Sequence, residues 1–421
     1  MSSTFDVAVA KSRTIGRPRG PTGISVVALT GEKKGALVSH EGQGLTGLES
    51  PAFAHSCTVG TRNCPSFVSR GFESSAKDAG SGSGHCISSS SSSSMTRRRS
   101  ACEMRIATLF LLVLCSGYLS AIQAQLSPTF YAATCPNLER IARQWFSIGV
   151  LNALTAPAAI LRLSFHDCSV NGCDASVLLN AGRGNTDEKA SSLNLGISNL
   201  QVIDGIKTAV ERQCPGVVSC ADLLVLAARD AVSLSGGPRM TVQLGRRDGT
   251  TASTSAADSQ LLPPTASVDR VLSTFSQMGL TPMETVALLG SHTMGVGHCD
   301  SIKNRLYPQL DTTLSQNPFF AQNLKRQCPA SFSNPNTVVA NDITNIVFDN
   351  QYFRDVQGRR GLFSIDDAIR TDARTSGFVR QFAVNRQLFF STFQTAYNKM
   401  AAHRVLTGTQ GQIRKNCRSI N

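Results

Sequence analysis

The chain has 421 residues, with 41 Lys and Arg against 28 Asp and Glu, and 13 cysteines. That length suits one large domain or two ordinary ones. Despite the basic charge, no basic patch interleaved with aromatic residues argues for nucleic acid, and no internal repeat is apparent.

Residues 1–103 read as a low-complexity extension. Gly, Ser, Thr and Pro are scattered through it, Ser88 to Ser94 is an unbroken serine run, and Arg97 to Arg99 is a basic cluster. No apolar period lasts long enough to bury a face, so the expectation is disorder. Residues 104–124 then read as a secretory signal peptide. Arg105 precedes an apolar run from Ile106 to about Leu114, and Ala124 is a small residue at the cleavage point. Met95 or Met104 is the natural start for such a leader, which makes the extension a candidate start-site artefact. If the extension is translated, the apolar run reads instead as an anchor, or the Ser- and Arg-bearing front as a transit peptide.

Cleavage after Ala124 leaves residues 125–421, with 28 Lys and Arg against 21 Asp and Glu, a net charge of +7. That charge suits an acidic polysaccharide wall and suits ordinary solubility equally well. Five cysteines precede the cleavage point, and an even eight follow it: Cys135, Cys168, Cys173, Cys214, Cys220, Cys299, Cys328 and Cys417. An even count behind a signal peptide implies disulfides, with connectivity open.

Helical signals dominate from there on. Pro157 suits a first helical position, and Ile160, Leu161, Leu163 and Phe165 supply apolar faces. Arg162 and His166 stand four residues apart, so both project from one face. Asp167, Cys168, Cys173, Asp174 and Ser176 follow, woven through an Asn171-Gly172 turn that offers hard oxygen donors suited to calcium. Taken singly, a helical His and an Asp-rich turn are ordinary features, and Cys168 with Cys173 reads as a tight disulfide or as two zinc thiolates. Further on, Val202, Ile203, Ile206 and Val210 share a helical period. Ser219 with Asp222 resembles a capping box opening a helix to Leu234. A short strand fits Val242 to Leu244, and a helix fits Val268 to Met278. Thr281-Pro282-Met283-Glu284 is a complete N-terminal signature, leading to Gly290-Ser291-His292-Thr293-Met294-Gly295. His292 there reads as a dipole-complementing terminal His, or as part of a zinc set with His298 and Cys299. Phe378 to Met400 places Phe382, Phe389, Phe393 and Met400 on one broad apolar face, read as core.

Taken together, Arg162-x-x-Phe165-His166-Asp167-Cys168-x-Val170-Asn171-Gly172-Cys173-Asp174-Ala175-Ser176 closely resembles the distal segment of the class III, secreted plant haem peroxidases. The resemblance spans nearly all of residues 125–421. It implies a mostly α fold, with two helical halves sandwiching one haem b, little β-structure and four disulfides. Those disulfides would be Cys135–Cys214, Cys168–Cys173, Cys220–Cys417 and Cys299–Cys328. It implies His166 as acid and base, Arg162 as stabiliser of the developing charge, and Asn194 orienting His166. His292 would be the axial iron ligand backed by Asp366, with Phe165 against the cofactor and the Pro263 carbonyl seating an aromatic donor. The reaction implied is reduction of hydrogen peroxide and one-electron oxidation of phenols, by a secreted monomer.

The resemblance also implies two calcium ions. The distal set is Asp167, Asp174 and Ser176 side chains, the Val170 and Gly172 carbonyls, and a water held by Glu188. The proximal set is Thr293, Thr344, the Val347 carbonyl and Asp349, plus a carboxylate three residues before Thr344. That position is Asn341, with Asp342 displaced by one. An amide keeps the oxygen donor but removes a charge, so the expectation is a weaker proximal site unless Asp342 moves in. Ser164 and Ser169 stand where larger side chains are common, Met294 replaces a Phe, and Ser198-Asn199-Leu200 replaces an R-G-F. None removes a catalytic group. An intracellular ascorbate-type enzyme would lack the eight cysteines, and a non-enzymatic wall protein on this fold would be expected to have lost Arg162, His166 or His292.

Overall fold

Apolar periods at helical spacing become helices almost throughout the computed structural model, which describes residues 126–421 apart from 183, 332, 333 and 335. The extension, the leader and the cleavage point lie outside the described residues. The first helices are α1 (Leu138–Asn152), α2 (Ala156–Ser169), α3 (Leu200–Gln213) and α4 (Cys220–Leu234). Of these, α2 packs on α4, and α1 packs on both α3 and α4. The run from Cys220 to Val232 is buried on every side, as befits a central helix. Next come α5 (Thr254–Gln260), α6 (Val268–Gln277) and α7 (Pro282–Leu289). The capping box expected for α7 is present: Glu284 N donates to Thr281 Oγ1, and Thr281 N donates to Glu284 Oε2.

β1 (Val296–His298), α8 (Lys303–Leu306), α9 (Thr312–Ser315), α10 (Pro318–Gln327) and β2 (Val338–Ala340) follow. The two strands pair antiparallel, with Val296 opposite Ala340 and His298 opposite Val338. The chain ends with α11 (Gln351–Gln357), α12 (Ser364–Thr371), α13 (Ser376–Val384) and α14 (Arg386–Ala401), and α14 packs on α7 and α2. Among the described residues no helix is long and apolar enough to cross a membrane.

Two expectations need correction. Val242 to Leu244 is not a strand, because its sole partner is Ser127, through one isolated bridge at Leu244. The Phe-rich segment is two helices, broken at Asn385, whose side chain accepts the Leu388 N–H and starts α14. Phe382, Phe389, Phe393 and Met400 are nevertheless all buried.

The eight cysteines form Cys135–Cys214, Cys168–Cys173, Cys220–Cys417 and Cys299–Cys328. Cys220–Cys417 joins residues 197 apart, tying the chain end to the head of α4. Long loops gain most from such a bridge, about 2–5 kcal/mol in small secreted domains.

Polar groups at the head of α4 are paired. Ser219 caps α4 as expected, but Asp222 does not close the box. Its carboxylate accepts from Arg246 Nη1 at 2.8 Å, the Tyr131 hydroxyl at 2.8 Å and the Gly245 N–H at 2.7 Å. Asp222 is wholly buried and Arg246 is 1% exposed. Arg246→Met therefore strands a buried carboxylate, and the expected loss is about 3–5 kcal/mol in denaturant unfolding. An unchanged midpoint contradicts that assignment.

Candidate active site

Helix α2 carries Arg162 and His166 one turn apart, and both reach the same short turn, Ser192–Asn194. The Asn194 Oδ1 lies 2.6 Å from His166 Nδ1, while Asn194 Nδ2 donates to the Glu188 carbonyl at 2.7 Å. With the amide nitrogen so engaged, Oδ1 faces the imidazole and Nδ1 must carry the proton. Nε2 is then the basic nitrogen. Burial, and next the charge of Arg162, push the His166 imidazole down to about 3, so it stays neutral at ordinary pH. Arg162 donates from Nη1 to the Leu195 carbonyl at 3.0 Å and from Nη2 to the Leu193 carbonyl at 3.1 Å. Burial lowers this guanidinium to about 10, and it remains charged. Sequence reading missed the two carbonyls, since a backbone oxygen leaves no residue-type signal.

His292 lies in a 3₁₀ turn, Gly290–Thr293, at the end of α7. Its Nδ1 is 3.0 Å from Asp366 Oδ1, and Asp366 is buried in the first turn of α12, where Oδ2 accepts the Phe363 N–H at 2.8 Å. A carboxylate accepts, so Nδ1 is the protonated nitrogen and Nε2 is left with a free lone pair that could hold a metal. His292 lines a cavity beside Leu288 and Leu289. Leu161, Phe165, Phe275, Phe393 and Met400 also face it. Phe165 sits edge-on to His166 and stacks on Phe275. Phe393 and Met400, read as core alone, are both core and cavity wall. A flat, apolar, iron-bearing ring suits this lining, with one imidazole nitrogen as its protein ligand. Pro263 is not among the lining residues, and its carbonyl accepts the Ala266 N–H at 2.9 Å.

Asp167 is held by the Ala175 N–H on Oδ2, and Asp174 by the Ser176 N–H on Oδ1. The Asp167 Oδ1, the Ser176 hydroxyl and both Glu188 carboxylate oxygens are buried without a hydrogen-bond partner among the described residues. Burial first, and then Asp174, raises Asp167 well above the usual carboxylate range; burial pushes Glu188 up to about 7. Crowded carboxyls with unsatisfied oxygens are groups that could hold a cation. Gly249 must be glycine, because a Cβ there would lie 2.1 Å from Asp174 Oδ2. Gly172 has φ +119°, and a Cβ would meet the Arg404 carbonyl at 2.4 Å. The Val170 N–H closes α2 onto the Asp167 carbonyl.

A second oxygen cluster lies behind His292, and of Asn341 and Asp342 it contains Asp342. Thr293 Oγ1 is 2.8 Å from Asp342 Oδ2 and 3.2 Å from Asp349 Oδ1. Thr344 Oγ1 is 3.1 Å from Asp342 Oδ1 and 3.3 Å from Asp349 Oδ1. Asn341 instead continues the β1–β2 ladder, its N–H on the Gly295 carbonyl, and its side chain donates to the Met294 carbonyl at 2.8 Å. Both residues lie in a bend just beyond β2, and there Asp342 is the one aimed at Thr293. Val347 closes the loop, its N–H on the Thr344 carbonyl at 2.6 Å. Among the described residues no three His, Cys, Asp or Glu side chains form a metal-holding group. Zinc is ruled out at Cys168, Cys173 and Cys299, whose sulfurs are all in disulfides.

A profile of the peroxidase family matches residues 140–385. Peroxidase 29 of Arabidopsis thaliana is 43% identical over 302 residues, covering 70% of this chain and 89% of that protein. Peroxidase 12 of the same plant is 45% identical over 300 residues, covering 70% and 83% respectively. The chain belongs to the peroxidase family, in its class III branch of secretory plant enzymes. It is a peroxidase, and the family implies a haem cofactor, hydrogen peroxide and a reducing donor.

Proposed function

We propose that this peroxidase works at the Arg162–His166–His292 site, on haem b held by His292, and that its donors are small phenols. The observation that carries the reading is the paired tethering of two imidazoles by their Nδ1 atoms, to Asn194 at 2.6 Å and to Asp366 at 3.0 Å. Each tether commits the proton to Nδ1 and leaves Nε2 for chemistry, as base in one half and as iron ligand in the other.

Haem bound against His292 supplies the two-electron reduction of peroxide and the later one-electron oxidations. The chain's own groups move protons and charge. His166 Nε2 removes a proton from the bound peroxide and delivers it to the departing oxygen, which leaves as water. Arg162 spends two N–H groups on the Leu193 and Leu195 carbonyls, and its remaining donors face the charge that develops on that oxygen. Asp366 strengthens His292 as a ligand by accepting its Nδ1–H. Pro263 would present the free lone pair of its carbonyl to a phenol. The unsatisfied oxygens around Asp167, Ser176 and Glu188, and the Thr293–Asp342–Thr344–Asp349 cluster, support two calcium sites. Four disulfides support secretion, since such bridges persist in oxidising compartments. The +7 charge of residues 125–421 supports a monomer held near an acidic wall polysaccharide.

One absorption spectrum tests the core of this reading. The purified chain is expected to show a haem Soret band that shifts on adding peroxide and returns on adding a phenol. A protein that takes up no haem, or whose band ignores peroxide, overturns it.

A further inference from the structure

Asp366 accepts three hydrogen bonds, and two of them fall on one oxygen. Oδ1 takes the His292 Nδ1–H at 3.0 Å and the Tyr352 hydroxyl at 2.8 Å, while Oδ2 takes the Phe363 N–H. Tyr352 lies on α11, is 2% exposed, and packs against Phe353 at 5.0 Å between ring centroids. Its ring also stands edge-on to His292, centroids 5.8 Å apart at 80°. A carboxylate has lone pairs enough for all three donors, so no geometric conflict arises. The two donors on Oδ1 nevertheless share the same electron density, and a phenol at 2.8 Å claims much of it.

We propose that Tyr352 is a positioning residue that moderates the axial ligand: its hydroxyl weakens the pull of Asp366 on the His292 Nδ1–H. This deepens the site reading above and rests on His292 being the iron ligand. Hydrogen bonding to the outer nitrogen sets how much imidazolate character the ligating nitrogen has, and with it the reduction potential of the iron. Asp366 alone would make His292 strongly basic. With Tyr352 on the same oxygen, the ligand is less basic and the ferric iron is easier to reduce. The ring contact does a second job, holding the imidazole plane through its edge.

Tyr352→Phe separates the two, since it keeps the ring and removes the hydroxyl. In the haem-loaded ferrous protein the iron–histidine stretching band in resonance Raman is expected to move to higher frequency. The ferric/ferrous potential, by spectroelectrochemical titration, is expected to fall. Growth on 3-fluorotyrosine makes the phenol a stronger donor and should shift both readouts the opposite way, with no shift when the same label is placed in Tyr352→Phe. The labelled wild-type chain keeps the test alive if the Phe variant folds poorly. A band and potential unmoved by both changes, or moved with the reverse signs, overturn the proposal. A wild-type ferrous protein with no iron–histidine band at all overturns the assignment of His292 itself.

Discussion

His166→Leu is expected to slow the reaction with hydrogen peroxide by about 10²–10⁴-fold while leaving haem bound, the range that one well-placed proton-transfer group supplies. Leucine fills the same space without a basic nitrogen, so the peroxide proton has no acceptor and the departing oxygen no donor. Arg162→Leu is expected to slow the same step by removing the guanidinium bonded to the Leu193 and Leu195 carbonyls beside His166. The pH dependence has a definite sign. A base lowered to about 3 stays unprotonated from neutral pH well into acid, so the wild-type rate should hold there and fall only as pH drops towards that value. Replacing Asn194 by Val frees the ring to adopt the other tautomer and should cost rate at every pH, without restoring it in base. Stopped-flow mixing with peroxide, followed at the Soret band, measures all of these. Unchanged kinetics in His166→Leu would falsify the assigned role.

Asp342→Asn is expected to weaken the cation site behind His292 by at least about 10–100-fold, the scale typical for disturbing even outer groups of a metal centre. The sequence places an amide at the expected ligand position, and a weaker proximal site would follow from that alone. In the structure Asp342 reaches both Thr293 and Thr344, so under the proposed reading it supplies that charge. Asn341→Asp should then tighten nothing, since a carboxylate cannot donate to the Met294 carbonyl that Asn341 now holds. Burial pushes the cation-free Asp342 carboxyl up to about 6, so protons compete and calcium affinity should fall as pH drops through that value. Thr293 is the neighbour of His292, so release of this ion should also perturb the haem band. Titration against a calcium chelator dye, with the Soret band recorded in parallel, reads both effects. Should Asn341→Asp alter the affinity while Asp342→Asn does not, the original sequence position was the right one.

Much of the site was legible in the linear chain because its chemistry is concentrated in short, ordered strings. Arg162 and His166 owe their common face to four-residue spacing on one helix, and Asp167, Asp174 and Ser176 fall within ten residues of each other. Local rules also set the α7 capping box, Thr281 to Glu284, and the turn glycine at 172. What the sequence could not decide were choices between near neighbours or between partners far apart in the chain. Asn341 or Asp342 turns on which side chain points inward in the bend that follows β2, where Asn341 is held to the Met294 and Gly295 carbonyls. The break at Asn385 comes from its side chain capping α14 at the Leu388 N–H, although the apolar pattern runs through it. Val242 to Leu244 has strand-like residues but only one bridge to make, and a strand without a ladder is not one. Tyr352 carries no signal, since its bond to Asp366 exists only because α11 and α12 are packed side by side. Residue type and spacing determined which groups are candidates for chemistry here, through helical periodicity and turn chemistry. Tertiary packing decided which oxygens those groups face, because hydrogen-bond partners are set by distance in space and not along the chain.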